Sequence, residues 1–255
     1  MKPNAIPIGF SQRLQLPWLE YTAGLVKAGK SRAEINTALQ ELLQEKLSVG
    51  HQVDRGNREK AISILLKIWQ CPPDELVALR DEGLDLFTRL PSKQHVAIHW
   101  GMSIAVYPFF GAVAATVGRL LRLQQDMSTA QVQRRIREQL GERETVARAA
   151  RRIYRSFIDW HVLVESGIKG TYSKAKPIAI PDRDFSSWMA ECVLQGSRSN
   201  CTPLEQMNNH PSCFPFETPR LTVDVLQGAP RLEVIRHGVD QEIVRLVPEM
   251  RDNGS

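Results

Sequence analysis

The chain has 255 residues, enough for one domain or for two or three small helical modules. With 42% hydrophobic and 24% charged residues, and with 16 Gly and 15 Pro, it is not a wholly disordered, collagenous or low-complexity protein. Lys and Arg number 33 against 28 Asp and Glu, so the net +5 says little about partners and the distribution of charge carries the information.

The first ten residues, ending Ile8-Gly9-Phe10, read as an arm before a short helix from Pro17 to about Ala28, where the missing amide hydrogen of proline costs nothing in a first turn. Ser31 and Glu34 have the spacing of a capping box, and Ile35, Ala38, Leu39, Leu42 and Leu43 recur at helical period behind it. A polar turn over Val49 to Asn57 leads to a third helix from Arg58 to Trp69, which Cys71-Pro72-Pro73 stops. A fourth helix is predicted from Asp74 to Leu90, with Leu76, Leu79, Leu84 and Phe87 inward and its acidic residues wet. Through position 90 there are 12 basic and 11 acidic residues, so this part has no large field of its own.

Between Gln94 and Gly118 there is no Asp, Glu, Lys or Arg. A membrane span needs about 20 predominantly apolar residues, so the length alone raises that reading. His95, His99, Pro108 and the internal glycines favour a buried pair of central helices broken at Pro108, the second running from Phe109 to Leu123, and no membrane is expected as a partner. His95 and His99, four apart, read as a satisfied core pair.

Charge changes sharply after Gly118. Arg119 to Lys176 holds 13 basic and 6 acidic residues, a net of +7, which leaves −2 for the rest of the chain. Ser128 or Thr129 caps a helix to about Leu140, with Val132, Ile136 and Leu140 on one face, and Gly141 supplies a turn. The next helix, from Glu144 or Thr145 to Trp160, has the stripe Val146, Ala149, Ala150, Ile153, Phe157 and Trp160, with Arg148, Arg151, Arg152 and Arg155 opposite. Two such helices suit a helix-turn-helix. A short strand at Val162 to Val164 and a hairpin through Gly167 and Gly170 to Ile180 then give winged-helix order. The predicted nucleic-acid contacts are Arg134, Arg143, Thr145, Arg148, Arg151, Arg152 and Arg155 from the helices, and Lys169, Tyr172, Lys174 and Lys176 from the wing, with double-stranded DNA as partner. Glu142 and Glu144 would repel phosphate at the helix start; either they turn aside to cap it, or the groove is read from Arg148 to Arg155.

Past Pro181, Asp184 is placed as the cap of a helix from Phe185 to Leu194 anchored by Trp188, and Gln195 to Pro211 reads as a long surface loop. Leu221 to Leu226, Leu232 to Arg236 and Glu242 to Val247 are predicted strands of a small antiparallel sheet, with a turn at His237 to Asp240 and a frayed end from Met250 to Ser255. Four cysteines are too few for a disulfide scaffold, and no leader-like hydrophobic segment stands ahead of them, so a reducing, cytoplasmic setting is expected. Cys192, Cys201, His210 and Cys213 contain ligand types for zinc, but only His210 and Cys213 are closely spaced, and core cysteines are the simpler reading. No phosphate-binding glycine loop, Gly-x-Ser-x-Gly elbow or His-Glu-x-x-His motif occurs, so a non-enzymatic protein without cofactors is expected.

The fold expected from these elements is mainly α with small β elements: a helical bundle containing a winged helix-turn-helix-like module and a small C-terminal antiparallel sheet. Its expected parts are an N-terminal helical module at 1–93, buried central helices at 94–126, the winged module at 127–181, and a C-terminal helix, loop and small sheet at 182–255.

Tyr107-Pro108-Phe109-Phe110, Val117-Gly118-Arg119-Leu120-Leu121, Arg148-Ala149-Ala150-Arg151-Arg152 with Asp159-Trp160, and the later Phe214-Pro215-Phe216 carry a family likeness. In these residues the chain resembles the small helical BrxA proteins of bacteriophage-exclusion (BREX) defence systems, from about Phe10 to about Val247, the first third matching in helical layout only. The resemblance implies a DNA-binding, non-enzymatic component of a phage-defence locus, acting beside a methyltransferase and ATPases. The alternative from the residues is a structural adaptor that docks on other defence-complex proteins through the winged-helix surface without touching DNA.

Overall fold

Capping groups and prolines cut the chain into short elements, described here over residues 6–47, 56–197, 199–238 and 241–247 of a computed structural model. Four helices open it: α1 (Leu16–Lys27), α2 (Arg32–Leu43), α3 (Asn57–Trp69) and α4 (Val77–Arg89), the last preceded by a 3₁₀ turn at Asp74–Leu76. The capping box of α2 is formed, with Glu34 N donating to Ser31 Oγ at 3.3 Å and Ser31 N to Glu34 Oε2 at 2.8 Å. Most of the polar turn expected over Val49 to Asn57 lies outside the described residues.

The uncharged stretch forms α5 (His95–Val106) and α6 (Pro108–Leu123), bent 120° from each other at the proline. Every residue of α5 is buried, because α1, α3, α4, α6 and α9 (Arg183–Gly196) all pack against it. Among the described residues no single helix is long and apolar enough to cross a membrane. Trp100 sits at the middle of α5 with ring contacts to Phe110, Phe157, Trp160, Phe214 and Phe216 at centroid distances of 4.4–6.1 Å. Its indole N–H donates to the carbonyl of Ser212 at 2.9 Å, so the one polar atom of the ring is satisfied.

After α6 come β1 (Asp126–Ser128), α7 (Thr129–Leu140), α8 (Glu144–Asp159), β2 (Leu163–Glu165) and β3 (Thr171–Lys174). The three strands form one antiparallel sheet in the order β1–β3–β2. The C-terminal part adds β4 (Ile178–Ala179), β5 (Cys201–Pro203), α10 (Leu204–Asn208), a 3₁₀ turn at Pro211–Cys213, β6 (Phe216–Glu217), α11 (Val223–Gln227), β7 (Leu232–His237) and β8 (Gln241–Leu246). β4 pairs in parallel with β6, and β5–β8–β7 is a second antiparallel sheet. The fold is therefore mainly helical with small sheets, and buried residues from all four expected segments join in one hydrophobic cluster.

Three predictions about the C-terminal part are corrected. Asp182, not Asp184, caps α9, accepting from Phe185 N at 2.8 Å, while Asp184 pairs with Arg89 at 2.9 Å. Gln195 to Pro211 is not a loop, since Leu204 and Met207, three apart, are buried and fix α10, and β5 adds to the edge of β8. Leu221 to Leu226 is not a strand: the Thr222 side chain accepts from Val225 N and starts α11, and β5 takes the place of the expected first strand. Residues 239–240 of the expected turn, and Met250 to Ser255, expected as a frayed end, lie outside the described residues.

Gly118 explains how α6 meets the C-terminal part. A Cβ on this residue would stand 1.9 Å from the carbonyl oxygen of Pro211, a backbone atom that has no rotamer to escape into. Gly118→Ala therefore forces α6 off the Pro211–Cys213 turn, and chemical denaturation should show a loss of about 2 kcal/mol or more, at the upper part of the usual range for overpacking.

Candidate nucleic-acid interface

The basic residues stand on a scaffold whose order follows from local chemistry. Ser128 and Gln131 cap α7 reciprocally, Ser128 N donating to Gln131 Oε1 at 2.7 Å. Val132 and Ile136 are buried, and Gly141 turns the chain at φ +92°, a region closed to most side chains. α8 then lies on α7 and α6 through Val146, Ala149, Ala150, Ile153 and Phe157, all at 3% exposure or less, with Trp160 buried at its end. His161, at φ 55°, ends the helix and turns the chain toward β2.

With that stripe inward, Thr145, Arg148, Arg151 and Arg155 are exposed. Arg148, Arg151 and Arg155 follow one another at spacings of three and four, so they share one face. Arg151 and Arg155 make no hydrogen bond or ion pair among the described residues. Arg148 lies 3.5 Å from Glu144, both side chains more than half exposed. An exposed helical pair of this kind is worth only about 0.3–0.5 kcal/mol, so it does not withhold the guanidinium from a stronger anion. Arg143 is exposed at the N-cap of α8 and makes no side-chain cap bond, and Glu142 and Glu144 are exposed and do not cap the helix. The alternative in which these acids turn aside to cap the helix is therefore not formed. On α7, Arg134 and Arg135 lie near Glu138 at 3.7 and 3.0 Å, while Arg137 is exposed and unpaired among the described residues. Arg137 was missed as a candidate; its position outside the Val132–Ile136 face was the available signal.

The hairpin is anchored at its tip and its base. Thr129 N donates to Gly170 O at 3.2 Å, which brings the β2–β3 turn, and Lys169 with it, to the start of α7. At the base, Ala175 N donates to Val162 O at 3.0 Å, and in the pair beside the turn the Tyr172 ring lies 6.2 Å from Tyr154 on α8, where Arg155 is close enough to act on its phenol electrostatically. Tyr172 is thus half-buried between strand and helix. Lys174, two residues on and on the same strand face, is exposed, as are Lys169 and Lys176. β1 was not predicted. A three-residue strand shows no periodicity, and its one buried residue, Met127, is legible only once Tyr172 is seen opposite it.

Arg152 departs from the expectation. Its guanidinium donates to the carbonyl of Ser11, and partial burial, with Arg148 adding repulsion, lowers its pKa from the ordinary value. The cause is the chain that links the expected arm, ending at Phe10, to α1. Residues 6–10 lie on the α5–α6 bend and residues 11–14 run along α8 as a strap, with Phe10 and Leu14 fully buried. Phe10 packs on Tyr107 and Phe110 at 5.5 and 5.2 Å. Leu14 N donates to Ser156 Oγ and Leu14 O accepts from Trp160 Nε1, each at 3.0 Å, and Arg13 pairs with Asp159. Arg152 is a clasp for this strap.

The histidine pair has a third partner that spacing could not show. The Glu20 carboxylate, from α1, lies 3.0 Å from His95 Nδ1 and 3.2 Å from His99 Nε2. Burial pushes the Glu20 pKa up, but His99 and His95 outweigh it and hold the carboxyl below its ordinary value. His99 is fully buried, and burial lowers its pKa despite Glu20. Among the cysteines and histidine weighed for zinc, Cys192 is buried in α9 and Cys201 is exposed on β5. Burial pushes the Cys213 thiol up to about 11, and His210, with burial and then Arg119 and Arg122 acting on it, is pushed down to about 4. No group of three potential metal ligands comes together among the described residues.

No family model, curated protein or solved structure matches the chain.

Two outcomes follow from these contacts. Arg152→Ala should release the strap, so that amides of residues 10–14 exchange with deuterium faster while those of α5 keep their protection; equal protection of the strap in variant and wild type would refute the clasp. His210 titrates near its ordinary value when unfolded and at about 4 when folded, so between those values the unfolded chain binds more protons. Its contribution is complete above about pH 6.5 and is lost as pH falls toward 4, and buried His99 acts in the same direction. Unfolding free energy should drop by on the order of 2 kcal/mol from this residue over that window, and His210→Gln should flatten the curve.

Proposed function

We propose that this chain is a DNA-binding protein without catalytic activity of its own, which contacts duplex DNA through the outer face of α8 and the β2–β3 hairpin. The observation that carries the reading is that Arg151 and Arg155 are exposed and unpaired among the described residues, on a helix whose opposite face is locked into the core. The order α6–β1–α7–α8–β2–β3, with β1 joined to the hairpin, supports a winged helix-turn-helix in which α8 enters a groove and Lys169, Lys174 and Lys176 reach an adjacent backbone segment. The residue patterns shared with BrxA proteins support a place in a BREX-type phage-defence system in the bacterial cytoplasm, where this chain supplies placement and its partners supply chemistry.

Exposed guanidinium and ammonium groups favour phosphate over base edges, so little discrimination between sequences is expected. A second reading, an adaptor that docks on another defence protein, is favoured by the apolar side chains around the same sheet: Leu123, Ile168 and Val164 are 83%, 66% and 46% exposed. Such side chains gain nothing from a phosphate backbone and would gain from a protein surface.

Anisotropy titrations of a random duplex across a salt series separate the two. Wild type should bind with affinity that falls steeply as salt rises, by about a thousandfold over a fourfold increase if six to ten phosphates are engaged. Arg151→Glu with Arg155→Glu should weaken binding on every sequence and make the log–log salt slope shallower by about 2. No wild-type binding at about 50–100 mM salt overturns the DNA reading in favour of the adaptor; wild-type affinity in the double variant moves the contact away from α8.

A further inference from the structure

A pocket of about 270 Å³ lies between the α5–α6 bend, the end of α9 and the Pro211–Cys213 turn, and neither the DNA reading nor the adaptor reading uses it. Ile104, Pro108, Ala112, Ala115 and Val193 make its walls apolar, and the small alanines leave the space open. Three polar side chains join them: Ser197, whose hydroxyl donates to the carbonyls of Leu194 and Ser199 at 3.0 and 2.7 Å, His210, and the buried Ser212.

The proton inventory of His210 is fixed by its neighbour. Ser212 N donates to His210 Nδ1 at 3.4 Å, and a backbone amide has no acceptor role, so Nδ1 carries the lone pair. The Ser212 hydroxyl, 2.7 Å from the same atom, is then a second donor to it. In the neutral ring the proton is on Nε2, and that N–H has no acceptor among the described residues. The pocket therefore has an apolar body with an unused donor on its lining.

Charge is supplied by α6 itself. Ala112, Ala115, Arg119 and Arg122 follow at i, i+3, i+7 and i+10, so the two arginines continue the same helix face that walls the pocket. Arg122 is fixed beside His210 by donating to the Asn209 carbonyl at 2.7 Å, and Arg119 is exposed. Neither arginine lines the cavity, but both act electrostatically on His210, so the N–H donor lies in a positive field that suits an anion with an apolar tail. The volume corresponds to about nine water-sized units, which limits the guest to roughly the size of benzoate or hexanoate.

We infer that this pocket binds a small monocarboxylate, with its hydrocarbon part against Ile104, Ala112, Ala115 and Val193 and its carboxylate accepting from His210 Nε2 within the field of Arg119 and Arg122. The inference is independent of DNA binding.

The test is a titration of the full, ¹⁵N-labelled chain with benzoate and, separately, with benzyl alcohol, which has nearly the same shape and no charge. Benzoate should shift the amides of Gly111, Ala112, Ala115 and Gly196 saturably at about millimolar concentration or below, the range open to so small a ligand. Benzyl alcohol should bind the same amides at least about fivefold more weakly. Ala112→Met, at a half-buried position, should fill the cavity and weaken both about tenfold or more. If that variant does not fold, exposed Arg119→Glu takes its place, and it should weaken benzoate but leave benzyl alcohol unchanged. Shifts that stay linear, equal affinity for the acid and the alcohol, or wild-type benzoate binding in the folded variants overturns the assignment, the first of these leaving an adventitious additive only.

Discussion

The complete enclosure of α5 is the constraint on which the other packing relations depend. A helix with no charged residue and no exposed face must be covered on every side, and here elements from both ends of the sequence do it. Trp100 is the centre of that arrangement, since its ring touches aromatic side chains of α6, α8 and the C-terminal segment around β6. Aromatic pairs in edge and tilted geometry add to the burial of their area, and one indole engaging five of them ties distant parts of the chain to one point. The absence of charge between Gln94 and Gly118 is thus explained by protein neighbours without invoking lipid.

On this foundation α8 is divided into sides with different work. Its apolar stripe faces α6 and α7, Tyr154 meets the hairpin, and Arg152 and Asp159 hold the strap. What is left for a ligand is a narrow row of guanidiniums. Four arginines on a helix would be an unremarkable wet surface if all were paired with nearby acids. The distinction here is that the paired and the unpaired ones are different residues. Arg152 has a backbone acceptor, and Arg148 a weak acidic neighbour, but Arg151 and Arg155 have neither.

Much of this could be read in the residues. The Ser31 and Ser128 caps, the Pro108 break, the α8 stripe and the Gly141 turn depend on neighbours within a few positions, and local chemistry decides them. The misreadings have one cause, which is contact across long separations. Phe10 looked like the end of an arm because its partners are nearly 100 residues away, and the contact of Leu14 with Trp160, 146 residues on, was equally out of sight. Glu20 could not be assigned to the two histidines for the same reason, and Arg152 was indistinguishable from Arg151 until Ser11 was seen beneath it. The alternating Leu221, Val223 and Val225 imitated a strand, but one threonine side chain bonding to Val225 N was enough to start a helix turn instead.

The two-residue parallel ladder between β4 and β6 has a further consequence. Ile178 leaves the basic hairpin and is at once paired with Phe216, while at the opposite flank the Trp160 indole is held by the carbonyl of Leu14. The basic segment is therefore fastened fore and aft to stretches of chain that precede and follow it by many residues. Cut out as a fragment, it would lose two hydrophobic plugs and a hydrogen-bonded seam, and its helices would have no floor. The arginine row is therefore carried by a segment secured on both flanks to the helical body, and not by a head on a tether.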